Sequence, residues 1–125
     1  MVVVDIHRDE LVDMLRASRA VFAFVFGSRA RGDARPSSDL DVAAWWPSDP
    51  PDSWSVAVPD GVDLVVLNEA PLELAGRIAL DGEILFDDDP PMQVRWTATT
   101  RKIWLDERPR FDAAHRLYLE SAARG

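Results

Sequence analysis

The sequence has no cysteine, which excludes disulfides, thiolate nucleophiles and cysteine-ligated zinc and points to a reducing compartment. Histidine occurs only as His7 and His115, too few for a histidine-built metal centre. No apolar run approaches the roughly 20 residues that a membrane-spanning helix needs. The opening "MVVVDIHRDE" carries acidic groups where a secretory leader would carry basic ones. These absences predict a soluble, cytoplasmic protein without a membrane partner.

Positive charge is also in deficit, with 14 basic against 22 acidic side chains and a net charge of −8. Nucleic-acid backbones are held mainly by basic patches that displace counterions. This balance therefore argues against direct nucleic-acid binding and favours a protein or small-molecule partner. What remains is ordinary for a globular chain: 125 residues, 47% hydrophobic and 29% charged. That is enough for one domain, residues 1–125, burying about two-thirds of the surface that the unfolded chain exposes.

Periodicity divides the chain into elements. "HRDELVDMLRA", His7 to Ala17, spaces Leu11, Met14 and Leu15 for one face of a helix. "AVFAFVF", Ala20 to Phe26, reads as a buried strand ending at Gly27. "DLDVAAWW", Asp39 to Trp46, and "GVDLVVLN", Gly61 to Asn68, read as two more strands, separated by the Pro- and Asp-rich loop from Pro47 to Asp60. Pro71 opens a helix that stops at Asp81-Gly82, and "EILF" suits a short edge strand. Asp89 with Pro90 and Pro91 suits a cap and first turn, opening a helix to about Glu107; Pro109 is expected to break it before a last helix from Phe111 to Ala123. The expected class is α+β, a mixed sheet packed by helices, with a core over about 7–86 and C-terminal helices over about 90–123.

The chemistry concentrates between Phe26 and Trp46. Alternate side chains of a strand share a face, so Asp39 and Asp41 project to one side. Two carboxylates so placed repel, and a divalent cation relieves the repulsion. Oxygen ligands with no nearby histidine or cysteine suit Mg²⁺ together with substrate phosphates. Asp63 interrupts the next apolar strand in the same way, and a neighbouring strand would bring it alongside. Three carboxylates could hold two Mg²⁺ ions that orient a nucleotide α-phosphate and stabilise leaving pyrophosphate. Gly27, lacking a Cβ, lets the backbone approach a phosphate, and Ser28 adds a hydroxyl donor. Arg29 and Arg31 would neutralise the remaining polyphosphate charge. Ser38 either caps the turn or supports the site.

The pattern apolar-Gly-Ser, ten residues, Asp-x-Asp and an apolar residue resembles the signature of the DNA polymerase beta-type nucleotidyltransferase superfamily. "GSRARGDARPSSDLDV" with "VDLVVLN" is similar in particular to its minimal nucleotidyltransferase branch, over Leu11 to about Phe86. The resemblance implies the polymerase beta-like fold, Gly27 and Ser28 at the triphosphate, Asp39 and Asp41 as Mg²⁺ ligands, and Asp63 as third ligand or base. It also implies ATP as substrate and, for many members, an antitoxin role in which AMP is transferred to a tyrosine of a HEPN-domain toxin. Two other readings keep the fold: a transferase for small, antibiotic-type acceptors, which generally needs an added helical domain, and an antitoxin that neutralises by binding alone.

Other features have plainer readings. Trp45 and Trp46 are expected to pack rather than stack on a base, and Trp96 and Trp104 to dock on the protein's own sheet. Asp87 to Asp89 reads as a solvated loop and cap. Arg110 and His115 have the Arg-x4-His spacing of HEPN ribonucleases, but too little chain remains for that bundle, so His115 reads as structural.

Overall fold

The computed structural model describes residues 2–27 and 40–124. The expectations for Ser28, Arg29, Arg31, Ser38 and Asp39 lie outside these residues. Within the described residues, three α-helices and four strands follow one another as α1 (Val2–Ala17), β1 (Phe22–Phe26), β2 (Leu40–Trp45), β3 (Val62–Val66), α2 (Leu72–Asp81), β4 (Glu83–Asp87) and α3 (Pro90–Arg124). The expected α+β class holds. Helix α1 begins at Val2 rather than His7, because a β-branched Val run carries no helical period to read.

Strand β1 lies in the middle of a mixed sheet ordered β3-β2-β1-β4, antiparallel to both neighbours, while β2 and β3 run parallel. A parallel pair needs a crossover. Here the Pro-rich loop supplies it with a single 3₁₀ turn, Ser53–Ser55, rather than a helix. The expected edge position of "EILF" is met by β4.

Alternation along the strands gives the sheet two apolar faces. Leu11 and Leu15 of α1 cover one, packing on Ala23, Val25, Val42, Ala44 and Leu64. The other is aromatic: Phe22 stacks on Trp45 at 5.2 Å, and Trp96 of α3 lies 5.5 Å from Phe24. Each such buried ring contributes about 2–3 kcal/mol. Trp46 turns to the α1 face, where it is 2% exposed and donates its indole N–H to the Ser18 carbonyl at 2.9 Å. Both tryptophans of β2 and its exit thus pack, as their position in the strand predicts.

Two local devices fix the frame. Helix α1 ends with Ala20 N–H on the Leu15 carbonyl and Arg19 N–H on the Arg16 carbonyl, with Arg19 at φ 80. This is a left-handed helix terminator at a position that glycine usually fills. Asn68, just beyond β3, accepts from Trp46 N–H at 3.0 Å and donates to the Trp46 carbonyl at 2.7 Å. It clasps the far end of the parallel pair.

The tail differs from expectation. Residues 90–124 form one helix with Pro109 inside it, not two helices broken there. A proline removes one backbone donor at a cost of about 3 kcal/mol. The helical phase nevertheless carries through, since the rings of Trp104 and Phe111 meet at 5.3 Å across the proline and Arg110 reaches back to Glu107 at 3.5 Å. Trp104 packs on α2 rather than on the sheet: a Cβ at Gly76 would collide with its indole, so glycine is what permits this close approach. At the helix start, Asp89 accepts from Met92 N–H at 3.3 Å, as a cap should, and Asp88 is held by Arg16 at 2.8 Å.

Candidate active site

The acidic residues gather where β2 and β3 begin. The parallel register sets Asp41 directly opposite Asp63, and the antiparallel register sets Phe26 opposite Asp41. On β2, Asp41 falls on the same side as Ala43 and Trp45, and on β3, Asp63 falls on the same side as Val65. Both aspartates therefore belong to the aromatic face, at the end where Phe26 stands opposite Asp41. Asp41 is half-buried and Asp63 exposed. This position spares both carboxylates full desolvation while keeping them on one surface.

Gly27 closes the site from the β1 side. It adopts φ 80, and a Cβ there would overlap the Asp41 carboxylate. Both facts demand glycine, since an L side chain disfavours that backbone region and no space exists for one. The chain thus leaves β1 against the acidic pair and enters the segment that carries Ser28, Arg29 and Arg31.

The arrangement fits a divalent cation. Two carboxylates opposed in register repel unless positive charge intervenes, and their hard oxygen donors suit Mg²⁺ rather than a thiophilic metal. Among the described residues no three acidic or histidine side chains form a ready cluster. Asp39, expected beside Asp41 as a metal ligand, lies outside them. The structure thus brings together three of the residues singled out in the sequence: Gly27, Asp41 and Asp63.

Sequence reasoning passed over a groove beside this site. A cavity of about 790 Å³ lies between α2 and the outer half of α3, with Phe26 and Gly27 also in its lining. Arg77, Trp104, Arg108 and His115 line it. His115, read from sequence as structural, is exposed on this groove rather than packed in the core. A period-3.6 reading of α3 across Pro109 would have placed Trp104, Arg108, Phe111 and His115 on one stripe, but the proline divides that window.

No curated protein sequence gives a match. Among solved structures, the fold is similar to a toxin–antitoxin complex with AMP-PNP (TM-score 0.65, 22% identity, covering 86% of this chain and 98% of that one). It is also similar to the MntA–HepT toxin–antitoxin (TM-score 0.60, 20% identity, 89% and 98% coverage). A third neighbour is a tri-AMPylated HEPN toxin of Shewanella oneidensis in complex with its MNT antitoxin (TM-score 0.61, 20% identity, 89% and 98% coverage). Residues 9–91 match the family described as Polymerase beta, Nucleotidyltransferase, and the chain belongs to that nucleotidyltransferase family.

Proposed function

We propose that this nucleotidyltransferase is an Mg²⁺-dependent antitoxin that transfers AMP from ATP to a hydroxyl, a tyrosine, on a cognate HEPN-type toxin in the cytoplasm. The observation that carries the reading is the Asp41–Asp63 pair on one face with Gly27 against it. The tri-AMPylated toxin of the similar Shewanella complex supports the acceptor class, and the AMP-PNP of another neighbour supports the donor.

In this reading Asp39 and Asp41 hold Mg²⁺, with Asp63 as the third carboxylate. Bound there, the ion neutralises the phosphates and makes the α-phosphorus more electrophilic. Gly27 and Ser28 grip the triphosphate, while Arg29, Arg31 and Ser38 line its path. The acceptor oxygen attacks the α-phosphorus, the bond to the β-phosphate oxygen breaks, and pyrophosphate leaves. Asp63, the more exposed of the pair, takes the hydroxyl proton on a carboxylate oxygen.

Incubation with labelled ATP, Mg²⁺ and the product of the adjoining reading frame tests this. Label should enter that protein, and Asp39→Asn with Asp41→Asn should abolish transfer. Label transfer that survives the double change rejects the assignment.

A further inference from the structure

We propose that the groove between α2 and the outer half of α3 seats the segment of the acceptor protein that carries the modified hydroxyl, making the end of α3 a docking arm. This inference rests on the reading of the acidic pair as a centre that modifies a protein. It goes further in saying where that protein binds and by what chemistry.

Position comes first. Gly27 belongs to the lining of the groove and also lies against the Asp41 carboxylate, so the groove adjoins the acidic site. Length comes second. At 1.5 Å per residue, the ten residues of α2 span about 15 Å and the 35 residues of α3 about 52 Å, so α2 can cover only part of α3. The stripe that begins with Trp104, 4% exposed, continues to Phe111 and Tyr118, which are 40% and 69% exposed. A small acceptor confined to the groove would leave Tyr118 and Leu119 without a role, whereas a macromolecular surface engages both.

Charge defines the occupant. The groove arginines are locally balanced, Arg77 by Glu73 at 3.0 Å and Arg108 by Asp112 at 3.9 Å. A groove so neutralised is poorly suited to a polyphosphate. From Arg108 to Arg124, however, four arginines stand against two acidic groups, in a chain whose net charge is −8. With Arg108 paired to Asp112 and Arg110 to Glu107, the arm keeps a small positive excess on an acidic body. It suits an apolar protein surface rimmed by aspartate and glutamate, and two arms brought together would repel.

Tyr118→Asp and Arg108→Glu test the proposal in the full chain; both positions are exposed, and circular dichroism checks that each variant folds. Calorimetry measures binding of the purified adjoining-frame toxin without ATP and, separately, binding of Mg²⁺–ATP. Both variants should bind the toxin about tenfold or more weakly and lose AMP transfer in proportion, with Mg²⁺–ATP binding at wild-type strength. Wild-type toxin affinity in both variants overturns the proposal. Loss of Mg²⁺–ATP binding overturns it in favour of a nucleotide in the groove. Self-association that the variants abolish, with toxin affinity intact, overturns it in favour of a second copy. If the toxin docks through the arm yet receives no AMP, the transfer reading fails while the docking surface stands.

Discussion

Asp41 on β2 and Asp63 on β3 stand opposite one another in a parallel register, although 22 positions separate them in the chain. Their shared face joins a repulsion between like charges to a capacity for binding cations. Asp63→Asn should therefore shrink the rise in melting temperature that Mg²⁺ gives over EDTA, since one of the carboxylates that would hold the ion is lost. The same change should lower AMP transfer about a hundredfold or more. Thermal melts with and without Mg²⁺, paired with transfer rates, check both. A variant that keeps both the Mg²⁺ shift and its activity contradicts the role given to the pair.

Gly27 has two independent reasons to be glycine. Gly27→Ala meets a left-handed backbone that costs a side chain about 1–2 kcal/mol and places a methyl on the Asp41 carboxylate. Transfer should fall far more than stability, since the collision moves Asp41. Rates and denaturant midpoints measured on the same preparation distinguish the two effects.

Gly76 is needed for packing rather than for backbone freedom. Gly76→Ala should push α3 away from α2 at Trp104 and destabilise the protein by about 1–3 kcal/mol, the usual cost of overpacking. Urea unfolding followed by tryptophan fluorescence reports the change.

Arg19 offers the opposite case. Its φ of 80 ends α1 where glycine is the cheaper residue. Arg19→Gly should stabilise the fold by about 0.5–1 kcal/mol and leave transfer unchanged. A melting temperature that does not rise counts against the left-handed terminator.

The bidentate contact from Arg16 to Asp88 gives a pH signature. Arg16 donates at 2.9 and 2.8 Å, and chiefly through these hydrogen bonds it holds the Asp88 carboxyl below its ordinary value of 3.8. A depressed carboxyl pKa adds stability that is present above the unfolded value and is lost as the pH falls through the folded one. Arg16 itself is raised, chiefly by the same bonds, so it stays charged across this range and the pair is lost in acid only through protonation of Asp88. Asp88→Asn should therefore remove part of the loss of melting temperature seen on acidification below about pH 4, and high salt should shrink the difference because the pair is exposed. Melting curves across that range decide the matter.

Whatever depends on neighbours along the chain is legible from the order of residues alone. Alternation of side chains places Asp41 on the face of Ala43 and Trp45, the Phe-rich run makes β1, and Gly27 marks the point where the chain turns off it. These are local rules of period and backbone freedom, and they gave the α+β class and the candidate residues.

What the strands and helices do to each other emerges only when they pack. The parallel pairing of β2 with β3 sets Asp63 against Asp41, and no local pattern encodes that register. The continuity of α3 through Pro109 was likewise hidden, because a sequence rule registers the missing donor but not the ring contact of Trp104 with Phe111 across it. The groove exists for the same reason: Gly76 admits Trp104, and the long helix carries Arg108 and His115 out beside Gly27. Local chemistry is written residue by residue, whereas a site shared among elements depends on which distant surfaces bury one another, and that is a property of the folded whole.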